Sequence, residues 1–140
     1  MKNLEQSLMK LIYSVSKFQK QPKFTQGCGD LSPAEVRLFE IVTPGEKIKM
    51  TDIASYFRTS KSATSLLVDK IVEKKKMTRS YDKDDRRVVY ISLTKEGEKT
   101  FNSYIDCKHK VLGSISKSLS DFDKQTCIQI LDHISDQIGR

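Results

Sequence analysis

Apolar residues recur at helical spacing from Leu4 through Leu8, Leu11, Ile12 and Val15 to Phe18, while Lys2, Lys10 and Lys17 fall off that face. The pattern predicts an amphipathic helix of about four turns with a single apolar stripe. Gln21-Pro22 and Gly27-Cys28-Gly29 interrupt it, so a loop is expected over residues 20–30. A start signal follows, with Ser32 as a cap, Pro33 at the first helical position and Glu35 completing a capping box. Val36, Leu38, Phe39, Ile41 and Val42 give that short helix its buried side, and Pro44-Gly45 ends it. Ile48-Lys49-Met50 reads as a short strand or extended segment. Thr51 is expected to cap the next helix, whose narrow buried face is Ile53, Ala54 and Phe57, with Asp52 at its positive end.

Arg58-Thr59-Ser60 turns directly into a second, longer helix with Thr64, Leu67, Val68 and Ile71 at helical spacing. Two short helices joined by a tight turn, the second the longer, have the geometry of a helix-turn-helix. Its outer face then carries Lys61, Ser62, Ser65, Leu66, Asp69 and Lys70. Met77 to Tyr81 and Val88 to Leu93 are rich in β-branched and aromatic residues and flank a short charged span, which predicts a two-stranded hairpin, or wing. Thr94-Lys95-Glu96-Gly97 opens another helix, along which Phe101, Tyr104, Ile105, the stem of Lys108, Val111, Leu112, Ile115 and Leu119 trace one stripe. A capping pattern at Ser120-Asp121-Phe122-Asp123 starts a last helix with Cys127, Ile130, Leu131, Ile134 and Ile138 on its apolar side. The expected fold is mainly α with a small β-hairpin wing. A winged helix-turn-helix core over residues 31–94 would be flanked by helical dimerisation regions over 1–20 and 95–140. Three apolar stripes exceed what so small a core covers, and pairing with a second copy satisfies them most simply.

Charge changes the picture more than composition does. The formal net charge is +7, which favours an anionic partner. From Arg58 to Arg87, ten basic residues stand against five acidic ones, so +5 of the excess lies in the helix-turn-helix and wing. Within the wing, the Asp82-Lys83-Asp84-Asp85 turn is too acidic for a plain phosphate clamp. Asp85 is instead expected to buttress Arg87, so that the guanidinium projects stiffly, which suits a narrow minor groove. The other reading of the turn, taken alone, is an exposed mixed-charge loop without a ligand.

Other chemistry finds little support. Cys28, Cys107 and Cys127 have no paired spacing, and with only His109 and His133 no metal site or cofactor is expected. Cys107 and His109, two apart on a helix, face different sides and do not make a nucleophile–base pair. No phosphate-binding glycine loop or paired-carboxylate motif is present, so an enzyme is not expected. No stretch approaches the roughly 20 apolar residues a membrane span needs, and the charged N-terminus is unlike a secretory signal. A cytoplasmic protein is expected.

The run from Thr51 to Gly97, TDIASYFRTSKSATSLLVDKIVEKKKMTRSYDKDDRRVVYISLTKEG, resembles the MarR family of bacterial transcription regulators. Its most specific part is the Asp-Arg-Arg wing followed by Ile91-Ser92-Leu93-Thr94-Lys95-Glu96-Gly97; LSPAEVRLFE and Leu67-Val68-Asp69-Lys70 agree as well. The resemblance implies a homodimer joined through its terminal helices, binding double-stranded DNA at a pseudo-palindromic operator, most commonly as a repressor. Ser60, Lys61, Ser62, Ser65, Leu66 and Lys70 would meet the major groove. Asp85, Arg86 and Arg87 would form the wing contact, and Lys74, Lys75, Lys76 and Arg79 would touch the DNA backbone. It further implies release by a small aromatic or lipophilic effector, in a pocket near Phe18, Phe39 and Tyr104, or by oxidation, for which the loop thiol Cys28 is the accessible candidate. Two positions depart from the family pattern. Lys75-Lys76 stand where relatives carry Gly then Leu, so the recognition helix is expected to end differently, a non-glycine left-handed cap costing about 1 kcal/mol. Leu66 stands where a polar or basic side chain is common, and either contacts a thymine methyl or packs against the wing. The alternative function is a winged-helix module for protein or RNA contact.

Overall fold

The computed structural model describes residues 1–21 and 27–139. The order is α1 (Leu4–Gln19), α2 (Pro33–Ile41), β1 (Lys47–Lys49), α3 (Met50–Phe57), α4 (Lys61–Glu73), β2 (Met77–Tyr81), β3 (Val89–Leu93), α5 (Lys95–Lys117) and α6 (Asp121–Ile138). The fold is mainly helical with a small antiparallel sheet, as the patterning predicts. The chain divides into two compact units, Met1–Cys107 and Lys108–Arg140, so the boundary falls inside α5.

Local signals set most helix starts. Ser32 Oγ accepts from the Glu35 amide, and Glu35 Oε2 accepts from the Ser32 amide at 2.7 Å, a complete capping box. Ser120 caps α6 through the Asp123 amide, and Thr94 Oγ1 accepts from the Gly97 amide at the head of α5. A second capping box, Asn3 with Gln6, starts α1 and escaped the sequence reading. Thr51 does not cap α3. That helix begins two residues earlier, at Met50 with Lys49 in the cap position and no side-chain cap, because the chain enters it straight from β1.

β1 completes the wing as a third strand, in the order β1-β3-β2, with Ile48 opposite Ile91 and Arg79 opposite Ile91 from the other side. The core of the first unit joins Val36, Leu38 and Phe39 of α2 to Ile53, Val68, Ile71, Met77 and Ile91, and Tyr104 of α5 belongs to it. Burying a side chain of this size contributes roughly 1.5–3 kcal/mol. Helices α1 and α6 contain no buried residue. Leu4, Ile12 and Tyr13 of the first are 73%, 54% and 68% exposed, and Phe122, Ile130 and Leu131 of the last 80%, 52% and 52%.

Candidate nucleic-acid interface

The helix-turn-helix is built by a tight backbone exit and an immediate re-entry. Arg58 takes a left-handed conformation (φ 50) at the end of α3. The Arg58 amide then donates to Ser55 O and that of Thr59 to Ala54 O, the double closure of a Schellman turn. Ser60 follows at once as the cap of α4, its Oγ accepting from the Ala63 amide at 3.1 Å. Helix α4 buries Thr64, Val68 and Ile71 and leaves Lys61, Ser62, Leu66 and Lys70 exposed, with Ser65 half-buried. All the recognition-helix positions read from the sequence thus lie on or beside one outer face.

The wing is bolted to that helix. Arg79 of β2 pairs with Asp69 and donates to the Ser65 carbonyl, so it is engaged in holding α4 to the sheet. Between them lies an open cleft of about 440 Å³ lined by Lys49, Lys61, Ser65, Arg79, Tyr81 and Arg87 among others. The sequence reading missed Lys49 and Tyr81, whose places follow from the pairing of β1 and of β2 with β3.

At the wing tip two carboxylates act in series. Asp82 Oδ1 accepts from the amides of Asp84 and Asp85 at 2.9 and 3.2 Å, and its Oδ2 from the Tyr90 hydroxyl at 3.3 Å. Those amide hydrogen bonds, the Asp84 one foremost, hold its pKa below the ordinary value. Asp85 accepts from the Arg87 amide at 3.0 Å, from Nε at 3.1 Å and from Nη2 at 3.3 Å. The Arg87 side chain lowers the Asp85 pKa first and its backbone amide second. Arg87 nonetheless remains 92% exposed. The expected buttress is present: a guanidinium fixed at two points and facing solvent. Arg86 beside it is exposed. The sequence reading missed Asp82, although an aspartate two and three residues before the amides it accepts from is a common turn signal.

The lysines at the end of α4 correct the expectation of a phosphate-facing cluster. Lys74 Nζ donates to Glu35 Oε2 and to the Asp30 carbonyl, both at 2.8 Å. Burial pushes the Glu35 pKa up, but the Lys74 hydrogen bond, the Ser32 amide and the Lys74 charge together bring it below the ordinary value. Lys76 is 9% exposed, and its Nζ donates to Thr100 Oγ1 at 2.9 Å. Both cations are occupied in holding α4 to α2 and α5. Lys75 alone of the three is exposed. It adopts the left-handed cap conformation itself (φ 60), so α4 closes in a left-handed turn without a glycine.

Two sensing expectations are corrected as well. Cys28 is 1% exposed, not an accessible loop thiol. The loop tucks inward at Gly27 (φ 90), where an added Cβ would stand 2.7 Å from the Ser103 carbonyl oxygen of α5. Phe39 and Tyr104 are each 1% exposed and belong to the packed core rather than to an open pocket wall. The Tyr104 hydroxyl donates to Glu40 Oε1 at 2.7 Å, and burial, with that contact, raises its pKa. Phe18 is half-buried. Among the described residues no group of His, Cys, Asp and Glu could hold a metal ion, and no helix is long and apolar enough to cross a membrane.

A helix-turn-helix with exposed lysines on its outer face, carried beside a wing with a fixed arginine, is the geometry of a DNA-binding winged helix-turn-helix. Residues 31–89 match the family model described as MarR family. The chain is 27% identical over 105 residues to YpoP, a helix-turn-helix-type transcriptional regulator of Bacillus subtilis, covering 75% of this chain and 74% of YpoP. It is 23% identical over 121 residues to the transcriptional repressor MdtR of the same organism, covering 86% and 76%. Among solved structures, RV1404 of Mycobacterium tuberculosis superposes with a TM-score of 0.82 at 15% identity, covering 100% of this chain and 97% of that one. FabT of Streptococcus pneumoniae, solved in complex with DNA, does so with a TM-score of 0.75 at 13% identity, covering 97% and 95%. YpoP and MdtR are both named as transcriptional regulators.

Proposed function

We propose that the chain is a homodimeric repressor acting in the bacterial cytoplasm on a pseudo-palindromic operator, and that a small aromatic or lipophilic molecule releases it. Each α4 would enter a major groove and each Arg87 the flanking minor groove, where negative potential is highest. The observation that carries this reading is the Arg87 guanidinium, held by Asp85 yet 92% exposed. A cation ordered at that cost in freedom and aimed at solvent is preorganised for an external anion. The name of MdtR as a repressor and the structure of FabT in complex with DNA support the role. The apolar faces of α1 and α6, without a buried residue in either, support a second copy as partner. Burial of Cys28 disfavours the oxidative route, so the release signal is taken to be a ligand rather than a thiol reaction.

The test is a gel-shift titration on duplexes that the full chain selects from a random pool. Arg87→Ala should weaken binding by about tenfold or more, the scale of one lost arginine contact, with mass and thermal stability unchanged. Equal affinity for the variant would remove the wing from the mechanism. Selection of no duplex at all would turn the reading toward a protein- or RNA-binding module.

A further inference from the structure

Between Leu31 and Leu93 every Val, Leu, Ile and Met side chain is buried or half-buried with one exception, Leu66, which is 64% exposed. The exception is not at an edge of the winged core. It stands in the middle of the outer face of α4, one turn after Ser62 and one turn before Lys70, both exposed. The buried face of the same helix, Thr64, Val68 and Ile71, points the other way. At 64% exposure Leu66 is not packed against the wing, whose link to α4 runs through Arg79 to Ser65 and Asp69 instead. Nor does it belong to the apolar faces proposed for the second copy, which lie on α1 and α6. Of its neighbours along the helix, Ser62, Asp69 and Lys70 are polar and Ala63 adds only one exposed methyl group, so the apolar surface is far smaller than a patch that docks a protein.

An isobutyl group offers no hydrogen bond and no charge, so it adds nothing to contacts with phosphate. The one apolar feature that a base edge presents in the major groove is the 5-methyl group of thymine. We infer that Leu66 is a specificity-determining residue that reads a thymine 5-methyl group in each half-site. The inference rests on the proposed DNA-binding role of α4 and gives it a chemical preference: Ser62 and Lys70 supply polar contacts along the same row, and Leu66 selects thymine between them.

Removing one methyl group tests this without disturbing the protein. In duplexes selected by the full chain, each thymine of a half-site is replaced singly by deoxyuridine, which keeps every hydrogen-bonding group. At one thymine per half-site the wild-type affinity should fall about fourfold, the value of one buried methyl group. Leu66→Ala, at an exposed position, should keep its thermal stability and salt dependence but bind the thymine and uracil duplexes equally at that position. The inference is overturned if no single demethylation weakens the wild type, or if Leu66→Ala remains equally sensitive to it. Failure to select any duplex would instead count against DNA binding itself, and the two failures are thus distinguishable.

Discussion

Asp82 and Asp85 divide one task at the wing tip, the first shaping the turn and the second aiming the arginine. Asp82 is itself braced across the sheet, since the Tyr90 hydroxyl reaches its Oδ2 and the Lys47 ammonium sits 4.3 Å from the centre of the Tyr90 ring. Asp85 can then accept from Arg87 because its own amide is fixed by Asp82. Both carboxylates have folded pKa values below the ordinary 3.8. For a depressed folded pKa, the contribution is present above the ordinary value and lost as pH falls through the lowered one. Amide resonances of Asp84, Asp85 and Arg87 should therefore stay in place from neutral pH down to the ordinary aspartate range and move only below it. Titration at the ordinary value would mean the turn is not held in solution. Asp85→Asn keeps an acceptor for the Arg87 amide but loses the charge that grips the guanidinium. It should weaken operator binding by severalfold, less than Arg87→Ala, and add nothing on top of Arg87→Ala in the double variant. Additive losses in that cycle would show that Asp85 acts on something other than Arg87.

The elements meet at the end of α4, where three consecutive lysines have three different fates. Lys74 ties the helix to the capping box of α2, Lys75 turns the chain, and Lys76 runs inward to Thr100. The turn is a Schellman closure like that after α3, with the Lys75 amide donating to Val72 O and the Lys76 amide to Ile71 O. A lysine at φ 60 carries strain of roughly 1 kcal/mol. Lys75→Gly should relieve it against the larger freedom of an unfolded glycine and raise stability by about 0.5 kcal/mol in denaturant titration. No gain would mean that the Lys75 side chain makes a compensating contact. Gly97 faces the same turn at the start of α5, where an added Cβ would stand 1.9 Å from the Lys76 carbonyl oxygen. Gly97→Ala should cost about 2 kcal/mol or more, the scale of a forced backbone shift in a packed site; a cost near zero would show that α5 slides freely on this turn. The joint also marks where sequence reading stops. Caps at Ser32, Ser60, Thr94 and Ser120 are legible because donor and acceptor lie three residues apart, and the Asp85–Arg87 grip because they lie two apart. Lys74 and Lys76 were misread as phosphate contacts because their partners, Glu35 and Thr100, stand 39 and 24 residues away. Charge counting credits every lysine to solvent, and only the folded chain shows which have been drawn inside. Cys28 and Tyr104 escaped for the same reason, since nothing near Cys28 in the chain says that its loop folds onto α5.

At the scale of the whole molecule, the apolar stripes of α1 and α6 decide whether the reader has one head or two. Helices so short of burial gain little from their own chain, and exposed apolar stripes of this kind are what the proposed second copy would cover. The second copy proposed above would bring the same stripes to the contact, as a two-fold axis requires. Replacing Ile12 and Ile130, 54% and 52% exposed, together with Glu should split such a dimer, since each side would then bring a charge into an apolar contact. Sedimentation should show the mass halved at micromolar concentration while helical content in the winged core persists. Operator binding should then report the loss of a head directly. Counterion release makes the slope of log K against log salt proportional to the number of phosphates engaged, so the split protein should show about half the wild-type slope on the same duplex. Half the mass with an unchanged slope would mean that a single head makes all the phosphate contacts and that symmetry plays no part in recognition. An unchanged mass would place the interface on other surfaces than these two helices.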